Sequence, residues 1–148
     1  MEILNLIITI ALLISALSLS FPASSTDIDE NDFRVVEELF ERAGKEFSSD
    51  QVLYDVSKMV IQTEPYLKVK AYDSRNKKIR TKDVWVNNEG RVIYISLVGK
   101  PSDNNISLKG LEELSELRYL KFHDLNINSL ASISKLGKLE VLSLARNK

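Results

Sequence analysis

The sequence predicts a mixed α/β protein in which an N-terminal α/β unit precedes a short solenoid of parallel strands and helical turns. Three patterns lead to this prediction. Apolar residues recur at helical spacing over residues 33–43, apolar and polar residues alternate over residues 67–72, and apolar positions repeat from residue 92 onward. These are the periods of an amphipathic helix, a half-buried strand and a repeat architecture.

Composition narrows the functions open to the chain. Its 148 residues carry 20 Lys and Arg against 21 Asp and Glu, so no net charge attracts nucleic acid or an anionic membrane surface. There is no cysteine, which excludes disulfides, thiolate metal sites and cysteine nucleophiles. The hydrophobic content of 44% is ordinary for one globular domain.

Residues 1–25 are predicted to be a cleaved export signal. An apolar run over residues 3–19 is followed by Ala23-Ser24-Ser25, a small-x-small pattern that a signal peptidase accepts. Glu2 stands where a basic residue is expected, so an uncleaved membrane anchor is the main alternative and a buried core helix the other. Both main interpretations predict a secreted or extracytoplasmic cell-surface protein. Contact with a membrane is expected only through this segment.

Residues 26–90 are predicted to form an α/β cap. The first helix covers residues 33–43, with Asp29 or Asp32 placed to accept backbone N–H bonds at its start. A second helix is predicted over residues 52–60, because their apolar side chains also follow helical spacing, and Pro65 ends it. Three extended segments follow, over residues 67–72, 77–86 and 91–98, separated by turns at 73–76 and 87–90.

Two charge clusters in this part are interpreted as structural. The spacing Asp27-x-Asp29-x-Asn31 partly matches a calcium loop, but Asp32 stands where the loop needs glycine. Helix capping explains the same acids more simply. The basic side chains between residues 68 and 82 are interpreted as protecting an edge strand, with contact to an acidic surface as the alternative. No metal and no cofactor is expected.

Residues 91–148 contain an internal repeat with an offset of 22 residues. Leu108, Leu111, Leu114, Leu117, Leu120 and Phe122 correspond to Leu130, Ile133, Leu136, Leu139, Leu142 and Leu144. A weaker copy, Val92-x-x-Ile95-x-Leu97, begins 25 residues before Leu117. An ordinary amphipathic helix is the alternative, but it does not explain so many matches under one offset.

This pattern resembles the leucine-rich repeat family, whose unit is L-x-x-L-x-L-x-x-N-x-L. The 22-residue period is similar to that of the internalin-like class. The resemblance implies short parallel strands on one side, helical or 3₁₀ segments on the other, and units that stack because none buries its apolar face alone. Asn147 matches the family's asparagine position, whereas Leu125 and Lys100 depart from it. The repeats are expected to be truncated at residue 148.

The resemblance places candidate partner-binding residues on the concave face of the strands. Stacking predicts three columns, Tyr94–Tyr119–Val141, Ser96–Lys121–Ser143 and Val98–His123–Ala145. The expected partner-binding residues are Tyr94, Ser96, Tyr119, Lys121, His123 and Ser143. Aromatic and cationic side chains on a rigid surface are typical anchors of an interface, so we expect Tyr119 and Lys121 to be replaceable without loss of stability. The alternative is that these positions are only the solvated side of the strands.

The sequence therefore predicts a non-enzymatic recognition module, exported or surface-anchored, that binds a protein partner. Glycan or peptide ligands are further options, and no nucleic acid is expected. His123 is the only histidine and no catalytic constellation accompanies it. One alternative is the N-terminal part of a larger signalling receptor or enzyme whose effector or catalytic domain lies beyond residue 148. Another is that residues 26–82 bind the ligand and the repeats act as a spacer.

Overall fold

The part of the chain that can be described lies between residues 28 and 147. The computed structural model describes residues 28–54, 56, 60–64, 68–72, 75, 78, 82–99 and 105–147. The predicted export segment at residues 1–25 lies outside these ranges, as does most of the predicted turn at 73–76. Within these ranges, no helix is long and apolar enough to cross a membrane.

The first predicted helix is confirmed as α1, Glu30–Arg42. Asp29 is its cap, because one of its carboxylate oxygens accepts the backbone N–H groups of Asn31 and Asp32, each at 3.1 Å. Glu30 adds negative charge to the first turn and Arg42 positive charge to the last, which suits the helix dipole. The inward stripe consists of Val35, Val36, Leu39 and Phe40, all of them buried.

The second predicted helix, over residues 52–60, is wrong. Val52–Leu53 forms strand β1 and Val60–Glu64 forms β2. β2 pairs antiparallel with β3, Lys68–Tyr72, which confirms the strand predicted there. β1 pairs parallel with β4, Val84–Val86, the part of the predicted 77–86 strand that the structure describes as one. A short, valine-rich apolar run is compatible with a helix or with a strand. Residues 52–53 form a strand because β4, distant in sequence, pairs with them.

An open, mostly parallel sheet of five strands joins the predicted cap to the repeat segment. Its order is β1-β4-β5-β6-β7, where β5 is Val92–Val98, β6 is Tyr119–His123 and β7 is Val141–Ser143. β4 and β5 are antiparallel, whereas β5, β6 and β7 are parallel neighbours. The connections between the parallel strands contain the 3₁₀ turns Leu111–Glu113 and Ile133–Lys135. The sheet therefore continues across residue 90, where the sequence analysis placed a domain boundary.

The main core lies between α1, the 3₁₀ turns and one face of this sheet. The apolar residues of the first copy of the 22-residue pattern are all buried there: Leu108, Leu111, Leu114, Leu117, Leu120 and Phe122. In the second copy Ile133 and Leu136 are buried, Leu139, Leu142 and Leu144 are half-buried, and Leu130 is exposed. Burial falls toward β7 because no described strand packs against its outer edge.

Polar contacts repeat at the same spacing as the leucines. Four ion pairs join residues 22 or 23 positions apart: Glu112–Lys135, Glu116–Lys138, Arg118–Glu140 and Asp124–Arg146. The Asn147 side-chain amide donates to the Phe122 carbonyl at 2.8 Å and accepts from the Leu125 backbone N–H at 3.0 Å. Asn147 thus satisfies main-chain groups in the turn after β6.

A buried ion pair ties α1 to the start of β5. Asp32, which is 0% exposed, accepts bonds from Arg91 Nε at 3.1 Å and Nη2 at 2.9 Å, and from the Val92 backbone N–H at 2.8 Å. The sequence analysis predicted Asp29 or Asp32 as the helix cap, and the structure gives that role to Asp29. Asp32 instead compensates a cation and a backbone donor at the point where the helix meets the sheet.

Candidate functional site

The face of the sheet opposite α1 carries the candidate residues in rows. The strand register places Tyr94 opposite Tyr119 and Tyr119 opposite Val141. It also pairs Ser96 with Lys121, Lys121 with Ser143, and Val98 with His123. The first two predicted columns are therefore confirmed as neighbours in the sheet. The third ends at His123, because Ala145 lies beyond the end of β7.

The first row extends further than predicted and is aromatic at its centre. Register links Leu53 to Trp85 and Trp85 to Tyr94, so the row runs through all five strands. The rings of Trp85 and Tyr94 stack with centroids 4.2 Å apart and planes 26° from parallel. Trp85 Nε1 donates to the Lys82 carbonyl at 3.0 Å, so the buried indole has its hydrogen-bond partner. Val56 is buried in the same apolar cluster.

The expectation that both tyrosines are exposed anchors is wrong. Tyr94 is 6% exposed and Tyr119 is 8% exposed. Burial raises the pKa of both phenols, because it removes water that would stabilise the phenolate. The sequence analysis missed this burial because it assigned Val56 to a helix instead of to the cluster beside the tyrosines. Replacing Tyr119 by alanine would therefore remove a packed side chain, and Lys121 is the better residue for a binding test.

The second row is polar and accessible. Ser96, Lys121, Ser143 and His123 are all half-buried, and His123 Nε2 lies 3.0 Å from Ser143 Oγ. Lys121 is the register partner of both Ser96 and Ser143, and adjacent strands in a sheet are roughly 4.8 Å apart. Among the described residues no acidic side chain forms an ion pair with Lys121, whereas Arg91, Arg118 and Arg146 each have one.

The surroundings of His123 lower the pKa of its imidazole. Partial burial is the largest cause, the cations Lys121 and Arg146 add to it, and Asp124 opposes it. Because the folded-state pKa lies below the unfolded value of about 6.5, the unfolded state takes up the proton first. We therefore expect His123 to make the fold less stable as the pH falls below about 6.5, and to have no such effect above it.

Urea unfolding of the wild type and of His123→Gln checks this expectation. Glutamine retains a polar group facing Ser143 but does not titrate, so the wild type should lose more stability between about pH 7.5 and pH 5.5 than the variant does. Since the chain has one histidine, its imidazole proton signals also give the midpoint directly. A midpoint above that of a free imidazole, or equal pH dependence in both proteins, would contradict it.

The contact between His123 and Ser143 is one part of the serine nucleophile arrangement, which also needs a carboxylate that orients the imidazole. Asp124 is the adjacent carboxylate, but it binds Arg146 at 2.7 and 2.6 Å. Within the described ranges, no group of three or more His, Cys, Asp or Glu side chains is placed to hold a metal ion. What the row offers is hydroxyl and imidazole hydrogen-bonding groups around one ammonium group.

The fold and this face define a mixed α/β protein with a polar row on the open side of a mostly parallel sheet. Comparison of the chain with protein-family models, curated proteins and solved structures finds no match. The geometry of the face therefore carries the functional argument.

Proposed function

We propose that this protein is a non-enzymatic recognition module of the leucine-rich repeat kind, exported or attached to the cell surface. It binds a protein partner through the polar row, defined as Ser96, Lys121, His123 and Ser143. A solenoid of this kind uses the strand face for contacts because parallel strands hold side chains at fixed spacing. The repeat assignment is supported by the 22-residue offset that the leucines share with the ion pairs and by the parallel register of β5, β6 and β7.

The observation that carries the proposal is Lys121, a half-buried residue on the strand face that has no acidic partner among the described residues. No described acidic side chain on this face compensates the charge of Lys121, whereas the neighbouring arginines Arg118 and Arg146 each have an acidic partner. A binding role explains it, because a partner supplies the missing hydrogen-bond acceptor. The neighbouring serines and His123 add donors and acceptors at fixed spacing, which favours specificity over nonspecific attraction.

Site-specific photo-crosslinking of the full chain in its source cells tests the proposal. A photoreactive amino acid is introduced at Ser143, at the edge of the polar row, and separately at Ser134, an exposed position in the second 3₁₀ turn. We expect irradiation to link a distinct protein to the chain from position 143 and not from position 134. Adducts from 134 alone, or equal adducts from both positions, would overturn the assignment of the binding face.

A further inference from the structure

The chemistry of the polar row also specifies the kind of partner, if the proposed function holds. We propose that the row binds an acidic protein segment, with the carboxylate of an Asp or Glu side chain seated on Lys121 between Ser96 and Ser143. This inference rests on the proposed function and adds the chemical class of the ligand.

Charge is the first step of the argument. The described surface pairs its cations closely: Arg34 binds Glu38 and Glu113, and Lys138 binds Glu116. Among the lysines whose side-chain exposure the structure describes, Lys45, Lys78 and Lys109 also form no ion pair or hydrogen bond with a described residue through their side chains, and each of them is exposed to water. Lys121 is the half-buried residue among these four, and water screens an ion pair less at a partly buried position than at a fully exposed one.

Hydrogen bonding is the second step. A carboxylate has two oxygens and accepts several bonds, and the strand register places Ser96 and Ser143 on either side of Lys121 along the row. Bonds from charged donors to a carboxylate are about twice as strong as neutral ones. The Ser143 hydroxyl also contacts His123, so a ligand bound at Ser143 changes the environment of the imidazole.

Two other ligand classes fit the face less well. A glycan is usually held by stacking on exposed aromatic rings, but Tyr94, Tyr119 and Trp85, the aromatic residues of the first row, are all buried. A nucleic acid needs a groove with several cations along the phosphate backbone, and the row offers one lysine. A single carboxylate on an extended protein segment needs one cation with flanking donors, which is what the row supplies.

The test is an NMR titration of the full chain with three short peptides that have the same Gly-Ser spacing and carry Glu, Gln or Lys at every third position. The imidazole of His123, the only histidine in the chain, reports on the row. We expect the Glu peptide to shift the signals of Ser96, Lys121 and Ser143 and to raise the pKa of His123, because it adds negative charge beside the ring. The Gln and Lys peptides should do neither.

Matched variants separate a specific site from general attraction. Lys121→Gln should lower the affinity for the Glu peptide about tenfold, because it removes a charged hydrogen bond that contributes on this scale. Lys121→Arg should retain that affinity, because it keeps the positive charge. Lys109→Gln removes an exposed lysine on the other side of the sheet and should leave binding unchanged. Equal binding of the Glu and Gln peptides, loss with Lys109→Gln, or no loss with Lys121→Gln would overturn the acidic-ligand inference.

The two proposals fail in different ways. If crosslinks form from position 143 but the row has no preference for the Glu peptide, the binding face stands and the acidic ligand is wrong. If the Glu peptide binds at Lys121 but no protein is linked from position 143, the charge preference stands and the protein partner is wrong.

Discussion

Replacing Asp32 by alanine is expected to lower the free energy of unfolding by about 3–5 kcal/mol, the cost of removing one partner of a buried ion pair. The substitution leaves the buried Val92 N–H and the partly exposed Arg91 guanidinium without their carboxylate acceptor. Since small domains are stable by about 5–15 kcal/mol, this loss approaches the whole stability. Urea denaturation followed by circular dichroism measures it.

The matched control is Glu38→Gln on the same helix. Glu38 binds Arg34 and Arg42, but all three side chains face solvent, so we expect a change below about 1 kcal/mol. Asp32→Asn serves as a second variant in case the alanine protein does not fold. It retains the shape but not the charge, and should be intermediate between the wild type and Asp32→Ala. A loss from Asp32→Ala as small as that from Glu38→Gln would show that the pair does not tie α1 to the sheet.

Replacing Trp85 by alanine is expected to cost a similar amount, about 3–5 kcal/mol, the usual range for a large aromatic residue deleted from a core. Trp85 is 0% exposed, stacks on Tyr94 and lies in the middle of the aromatic row. Its removal leaves a cavity beneath the strand face and an unbonded Lys82 carbonyl. The measurement is again urea denaturation, with circular dichroism because the only tryptophan is lost.

Two further variants locate the effect. Trp85→Phe keeps a ring for stacking but loses the indole N–H, and should cost less than half as much as alanine. Val141→Ala, at the half-buried end of the same row, should cost about 1 kcal/mol. The wild-type tryptophan emission should be blue-shifted relative to the unfolded chain. Emission typical of an exposed indole, or equal losses of unfolding free energy for Trp85→Ala and Val141→Ala, would mean that Trp85 is not at the centre of a buried apolar cluster.

These two residues show why part of the structure escaped prediction. The periodicity of residues 33–43 indicates a helix, and the capping acid Asp29 lies next to it, so local sequence was enough for α1. The bond between Asp32 and Arg91 joins positions 59 apart, and no local pattern indicates such a pair. Trp85 is large and mostly apolar, which favours burial, but its stacking on Tyr94 depends on the β4–β5 register.

The sequence by itself determined the repeat spacing, the first helix and the pairing of Tyr94 with Tyr119 and of Lys121 with Ser143. Each follows from a spacing within the chain: 3.6 residues per turn for the helix, 22 residues from Lys121 to Ser143, and 25 residues from Tyr94 to Tyr119 across the longer first interval. Only the tertiary structure decided that residues 52–53 pair with β4 and that Val56 packs with both tyrosines. How far a strand residue is buried depends on the residues that pack against its face of the sheet. Because the two tyrosines are buried, the candidate binding site now consists of the polar row alone.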